Sequence, residues 1–181
     1  VEFIREIARV NRKTIVVLTA GGNTAVSEWI RDVAALLHTW YPGQEGGTAI
    51  GEILFGDVNP SGKLPATFEK RWEDNATFAS YYDDDNDKKV TYSEGIFLGY
   101  RHFDKKDIEP LYPFGYGLSY TTFAYKNLKL SPVSLSRGQK LSVSVEVTNK
   151  GGRAGAEVVQ FYIRDVESSL PRPPKELKAF E

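Results

Sequence analysis

The chain has 181 residues, with 23 Lys and Arg against 24 Asp and Glu for a formal charge of −1, and its basic residues are scattered among acids, so no basic stripe marks a nucleic-acid partner. The absence of Cys excludes disulfides, thiolate nucleophiles and Cys-ligated zinc, and no apolar run reaches the roughly 18 residues of a membrane-spanning helix. Ten Tyr, ten Phe and three Trp suit sugar stacking as well as ordinary core and interface packing.

Residues 1–10 place Phe3, Ile4, Ile7 and Val10 on one face, with Glu2, Arg5, Glu6 and Arg9 opposite, which predicts an amphipathic helix. Thr14–Leu18 is a β-branched apolar run too short for a helix and predicts a buried strand. Gly21-Gly22-Asn23 breaks it, residues 24–31 read as a short helix, and Val33–Leu37 reads as a second strand. A strand-helix-strand unit implies a parallel sheet. After the glycines of Gly43–Gly47, the spacing of Ala49, Ile50, Ile53 and Leu54 predicts a helix that Gly56 ends. Asn59-Pro60-Ser61-Gly62 reads as a turn and Lys63–Phe68 as an extended segment. Glu69–Glu94 dissolves into charge, Asn and Tyr, the composition of a surface loop or linker.

Beyond Phe123 the period changes to two. Leu141, Val143, Val145 and Val147 alternate with Ser142, Ser144, Glu146 and Thr148, and Val159, Phe161 and Ile163 repeat the pattern after a turn over 149–155. That predicts a strand and its antiparallel return in a β-sandwich. The expected division is an α/β portion over 1–68, a linker with junction loops over 69–122 and an incomplete β-sandwich over 123–181. A chain that opens at Val1 and contains no Met is expected to be an internal or processed piece of a longer protein.

Several residue groups invite chemistry. Glu45 lies among glycines just beyond a parallel strand, where open sheets gather ligands; it is a pocket candidate or, alternatively, a cap for the helix that follows. Gly21-Gly22-Asn23 lacks both Gly-x-Gly-x-x-Gly and a Gly-Lys-Ser/Thr ending, so it reads as a tight turn rather than a phosphate cradle. Asp83, Asp85 and Asp87 with Glu94 imitate calcium-loop spacing, but Lys88 stands where the sharp turn wants Gly, and no metal site is assigned. Glu94, Tyr100, Arg101 and His102 form either the lining of a sugar site, with Arg101 donating in fork geometry, or a structural ion-pair and aromatic cluster. With two His and no Cys, neither a zinc site nor a Cys/His dyad can be assembled. Asn75-Ala76-Thr77 is a glycosylation sequon, relevant in a eukaryotic secretory setting.

Three motifs together carry a family resemblance. Tyr41-Pro42-Gly43-Gln44-Glu45-Gly46-Gly47 with Ile53–Pro65 resembles the closing part of the α/β sandwich domain of glycoside hydrolase family 3, the family of bacterial β-glucosidases. Pro113–Tyr120 resembles that family's junction to a fibronectin type III-like domain, and Arg172–Leu177 a loop within it. The resemblance implies a retaining exo-β-glycosidase with a (β/α)8 barrel ahead of these two domains, acting on terminal non-reducing β-linked glucose, or xylose, of an oligosaccharide or aryl glucoside. It places the nucleophilic Asp on the barrel and the acid/base Glu before Thr14, both outside this chain, and implies no cofactor. It leaves Glu45, Glu94 and Arg101 as substrate-pocket candidates. It also implies a partner barrel domain, no nucleic acid or membrane partner, a homodimer as a candidate assembly, and a periplasmic or secreted location. The competing expectation is a non-catalytic carbohydrate-binding or structural module. Gly21-Gly22-Asn23 departs from the Gly-x-Pro found in many members.

Overall fold

The computed structural model describes residues 1–83, 86 and 88–181. Helix α1 (Glu2–Val10) carries Glu2 in its first turn and Arg9 in its last, the charge order that suits the helix dipole. Its small residue Ala8 is buried, whereas Phe3 and Val10 are 76% and 89% exposed. The apolar stripe predicted from the sequence is therefore present and uncovered. Strands β1 (Ile15–Leu18) and β2 (Ala35–His38) pair in parallel from Ile15↔Ala35 to Leu18↔His38, as the strand-crossover-strand pattern requires.

The helix expected over residues 24–31 does not form. The crossover is a turn followed by one 3-10 turn at Ile30–Asp32, with the Val26 carbonyl accepting from both Trp29 and Ile30 at 3.1 and 2.9 Å. Val26 and Trp29 are buried, and β-branched Thr24 and Val26 have little helical preference of their own. Anchoring two side chains in the core outweighs a weak local tendency.

Helix α2 (Gly46–Phe55) ends at Gly56, which is left-handed at φ +83°, and the Asp57 amide reaches back to the Glu52 carbonyl at 2.8 Å. This is the Schellman closure that a glycine makes easy. The turn that follows joins the two halves of the molecule. Asn59 Nδ2 donates to the Ala154 carbonyl at 2.9 Å. Its Oδ1 accepts from Ser119 Oγ at 3.0 Å and from the Tyr120 amide at 2.8 Å. Around it, Tyr120 donates its hydroxyl to the Ile53 carbonyl at 2.7 Å and Arg153 donates to the Gly56 carbonyl at 2.9 Å. Lys63 pairs with Glu157 at 3.0 Å, both side chains largely buried, and donates to the Gly117 carbonyl.

The extended segment leaving this turn finds its partner in the chain returning through residues 112–116. Leu64 and Phe68 amides donate to Tyr116 and Tyr112 carbonyls, each at 2.8 Å. Residues 69–111 are thus an excursion closed at its neck. Within it Trp72 meets Phe78 and Tyr81 edge-on at 5.9 and 5.4 Å, so the expected linker contains a local aromatic cluster. It also contains helix α3 (Tyr100–Lys106), which the sequence pattern did not predict. Phe103 is its one buried apolar residue, too little periodicity to read as a helix.

Strand β3 (Phe123–Ser131) pairs antiparallel with β4 (Ser142–Asn149), with a register shift between Lys126 and Lys129. Strand β5 (Gln160–Ile163) pairs antiparallel with β6 (Glu176–Phe180). The expected return of β5 alongside β4 is therefore corrected: residues 149–155 carry the chain to a different sheet. Asn149 holds that turn by donating to the Arg153 carbonyl at 2.7 Å and accepting from Thr121 Oγ1 at 2.6 Å. A Cβ at Gly155 would stand 2.5 Å from Asn59 Nδ2, so a side chain there would break the junction.

The chain exposes 13413 Å², whereas a folded monomer of its mass exposes roughly 8,800 Å². Open strand edges and apolar faces of this extent promote association. The isolated chain is expected to self-associate, and light scattering at increasing concentration tests it: a stable monomer with a sharp, cooperative melt contradicts it. Asn59→Ala is expected to cost about 1–3 kcal/mol by removing three hydrogen bonds at the junction. Asn59→Asp, which keeps both acceptor contacts, should fall between; denaturant midpoints in the longest stable form of the protein read both.

Candidate functional site

In a parallel pair both strands deliver their following loops to the same edge, and in open α/β sheets that carboxyl edge is where ligands bind. Here the two loops are laced together. The hydroxyls of Thr19 and Thr39 lie 2.9 Å apart, and a ring nitrogen of His38 sits 3.4 Å from the Gly22 carbonyl. Asn23 Nδ2 extends the lacing by donating to the Thr67 carbonyl at 2.7 Å and Glu69 Oε2 at 2.8 Å.

Trp40 follows β2 in the left-handed region, at φ +52°, a conformation that costs a bulky residue about 1–3 kcal/mol and that clusters at functional sites. Packing holds it there. Its ring lies 4.3 Å from that of His38 and meets Phe68 edge-on at 6.4 Å. Phe68 leads on to Tyr112, whose phenol burial pushes above its ordinary value, helped by Tyr116. Beyond this aromatic base Tyr41 projects outward, 81% exposed.

Glu45 occupies the N-cap position of α2 without a side-chain bond to the helix backbone. Thr48 donates to its carboxylate at 3.2 Å instead, and the side chain is exposed. The expected cap is thus present in position and in its relation to the dipole, while the carboxylate stays accessible at the loop edge.

Arg101 belongs to a second cluster, built where α3 docks on β5 and β6, while Glu94 lies six residues before α3 with its carbonyl accepting the Phe97 amide at 3.1 Å. Tyr100 accepts the Leu177 amide at 2.9 Å and packs its ring against Phe114 and Tyr162 at 5.4 and 5.8 Å. Asp104 pairs with Lys175 at 2.9 Å. The Glu176 carboxyl is held below its ordinary value by the Lys178 hydrogen bond, with Arg101 and Arg172 adding attraction. His102 is pushed down by burial and then by Lys106 and Lys105, which favours the neutral ring at pH 7. Glu94 Oε2, Arg101 Nε and Asp104 Oδ2 are buried without a hydrogen-bond partner, and such atoms cost about 1–3 kcal/mol each or more when charged.

Among the described residues no hydrogen bond or ion pair joins Glu45, Glu94 and Arg101 to one another. Of the calcium-like spacing, Asp85 and Asp87 lie outside the described residues, and the Asp83 carboxylate accepts the Lys88 amide at 2.9 Å. An open cleft of about 600 Å³ contains Arg5, Arg9, Arg12 and Arg31 with Glu6 and Asp32. It sits at the amino ends of β1 and β2, opposite the edge where Trp40 and Tyr41 lie. Sequence reasoning took Asn23 and Asn59 as turn residues, Tyr41 only as part of a family-like motif, and passed over Trp40. The signal available for two of them was an aromatic pair directly following an apolar strand run.

Residues 1–100 match the glycosyl hydrolase family 3 C-terminal domain, and residues 157–181 match a fibronectin type III-like domain. A β-glucosidase of Rhizobium radiobacter is 46% identical over 99% of this chain and 22% of its own length. Thermostable β-glucosidase B of Acetivibrio thermocellus is 44% identical over 99% of the chain and 23% of its own. Among solved structures, β-glucosidase 3B of Thermotoga neapolitana in complex with α-D-glucose superposes with a TM-score of 0.91 at 40% identity, covering 99% of this chain and 25% of that one. The chain therefore spans about a quarter or less of these relatives. With its first hundred residues forming the family's C-terminal domain and a fibronectin type III-like segment after them, this chain belongs to glycosyl hydrolase family 3.

Proposed function

We propose that this chain is part of a retaining exo-β-glycosidase that releases terminal non-reducing β-D-glucosyl residues from β-linked oligosaccharides or aryl glucosides. The observation that carries this is the match of 99% of the chain, at 40% identity and a TM-score of 0.91, to a β-glucosidase in complex with glucose. Retaining hydrolysis divides between two carboxyl groups roughly 5 to 5.5 Å apart. One attacks the anomeric carbon and forms a glycosyl-enzyme, while the other protonates the departing oxygen and then takes a proton from the incoming water. In this proposal both come from outside residues 1–181, the nucleophilic Asp from a barrel domain and the acid/base Glu from before Thr14.

The chain's own contribution is then a wall and a brace. Its carboxyl-edge loops present Glu45, Trp40 and Tyr41, and the Asn59 junction fixes them relative to the β-sheets. Glu94 and Arg101 remain pocket candidates in this proposal because each has a buried polar atom without a partner, and a sugar hydroxyl has the donor and acceptor capacity to satisfy both.

The purified chain is expected to show no turnover of an aryl β-glucoside, whereas the complete protein releases glucose with the β-configuration retained, read by NMR of the first product. Turnover by the chain alone, surviving contaminant controls, contradicts the placement of both carboxylates. In the complete enzyme, Glu94→Ala and Arg101→Ala are expected to lower kcat/KM by about ten- to a hundredfold if each contacts substrate through a charged hydrogen bond. Unchanged kinetics with a lowered melting temperature would make both residues structural.

A further inference from the structure

We infer that Lys175 is a positioning residue for Arg101: by holding the Asp104 carboxylate from the fibronectin-like segment, it keeps the Arg101 guanidinium available to substrate. The inference rests on the pocket role given to Arg101 in the proposed function. It starts from a pairing that the chain makes once and omits once. Arg71 and Asp74 stand three residues apart, and the guanidinium grips the carboxylate through two nitrogens, Nη2 at 2.5 Å from Oδ1 and Nε at 3.4 Å from Oδ2. Arg101 and Asp104 have the same spacing within α3, where such a pair is ordinarily favourable. Among the described residues no ion pair joins them. Arg101 Nε and Asp104 Oδ2 are instead both buried without a hydrogen-bond partner.

The difference lies in a third residue. Lys175, which belongs to the fibronectin type III-like segment, places its ammonium 2.9 Å from Asp104 Oδ1 and 5.8 Å from the centre of the Tyr162 ring. Two residues on, the Leu177 amide donates to the Tyr100 hydroxyl at 2.9 Å, so β6 is fastened to the same turn of α3 by backbone as well as side chain. A carboxylate already held by an ammonium attracts a guanidinium less, because the two cations repel each other. Without that ammonium, Asp104 keeps a carboxylate 24% exposed one turn from an unpartnered guanidinium. The pair that Arg71 and Asp74 make then becomes favoured here too. A guanidinium engaged by Asp104 in fork geometry no longer has those donors for a sugar hydroxyl.

The test uses the complete enzyme and an aryl β-glucoside. Lys175→Ala is expected to lower kcat/KM by about three- to fivefold, and Lys175→Arg, which keeps the ion pair, to match the parent. Asp104→Asn added to Lys175→Ala is expected to recover most of that loss, because a carboxamide cannot hold the guanidinium by charge. Lys175→Ala added to Arg101→Ala is expected to lower kcat/KM no further than Arg101→Ala does, the non-additivity of residues that act through one another. Lys175→Met, which keeps the side-chain stem, serves if the alanine variant does not fold and is expected to behave in the same way. The inference is overturned by a Lys175→Ala variant without kinetic effect, by a loss that Asp104→Asn does not recover, or by one that adds in full to that of Arg101→Ala. Any of these makes Lys175 a structural clamp. A kinetically silent Arg101→Ala rejects the pocket role of Arg101 itself, and the positioning role with it.

Discussion

The side chain of Asn59 is the constraint on which the rest of the arrangement depends. A carboxamide offers a donor and an acceptor at one point in space, and here it spends them on Ala154, Ser119 and Tyr120, three positions at least 60 residues further along the chain. Those bonds fasten the end of α2 to the start of β3 and to the turn after β4. The Lys63–Glu157 pair lies beside them with both side chains largely buried. A pair in that setting contributes little net stability but is costly to split, so it fixes alignment more than it adds strength.

From this joint the two edges of the α/β portion acquire different characters. The amino ends of β1 and β2 open on an arginine-rich cleft, whereas the carboxyl ends are tied by Thr19, Thr39, His38 and Asn23 into a rigid rim. Rigidity at the rim comes from hydrogen bonds between loops, and strain there is concentrated in Trp40. Surrounding aromatic packing offsets that strain, the usual condition for a left-handed bulky residue to persist.

The α3 cluster is a second joint of the same kind. Tyr100 and Asp104 clamp β5 and β6 through Leu177 and Lys175, which accounts for the dense aromatic and charged sequence between Tyr100 and Asp104. Arg101 sits inside this joint, and both it and Glu94 have a buried atom without a partner. Both a structural and a substrate role remain consistent with the chemistry of these two side chains, because a guanidinium and a carboxylate satisfy a protein partner and a sugar hydroxyl in the same way.

Much of the outline was legible in the sequence. Period and composition alone placed α1, β1, β2 and α2, and Gly56 marked the end of α2, because these signals are local: side chains three or four apart share a helix face, and glycine alone enters the left-handed region freely. Glu45 was legible as a residue at the loop-helix boundary for the same reason. What the sequence did not contain were decisions made across distance. The segment 24–31 reads as helical until Val26 and Trp29 are claimed by the core, and β5 reads as the partner of β4 until Asn149 and Asn59 hold the turn that sends it to another sheet. Tyr41 is only an aromatic beside a proline until Gly21, twenty residues earlier, is found beneath its hydroxyl. Local propensities differ by fractions of a kcal/mol to about one, and a few long-range hydrogen bonds or one buried side chain outweigh them; those contacts exist only once the chain has folded.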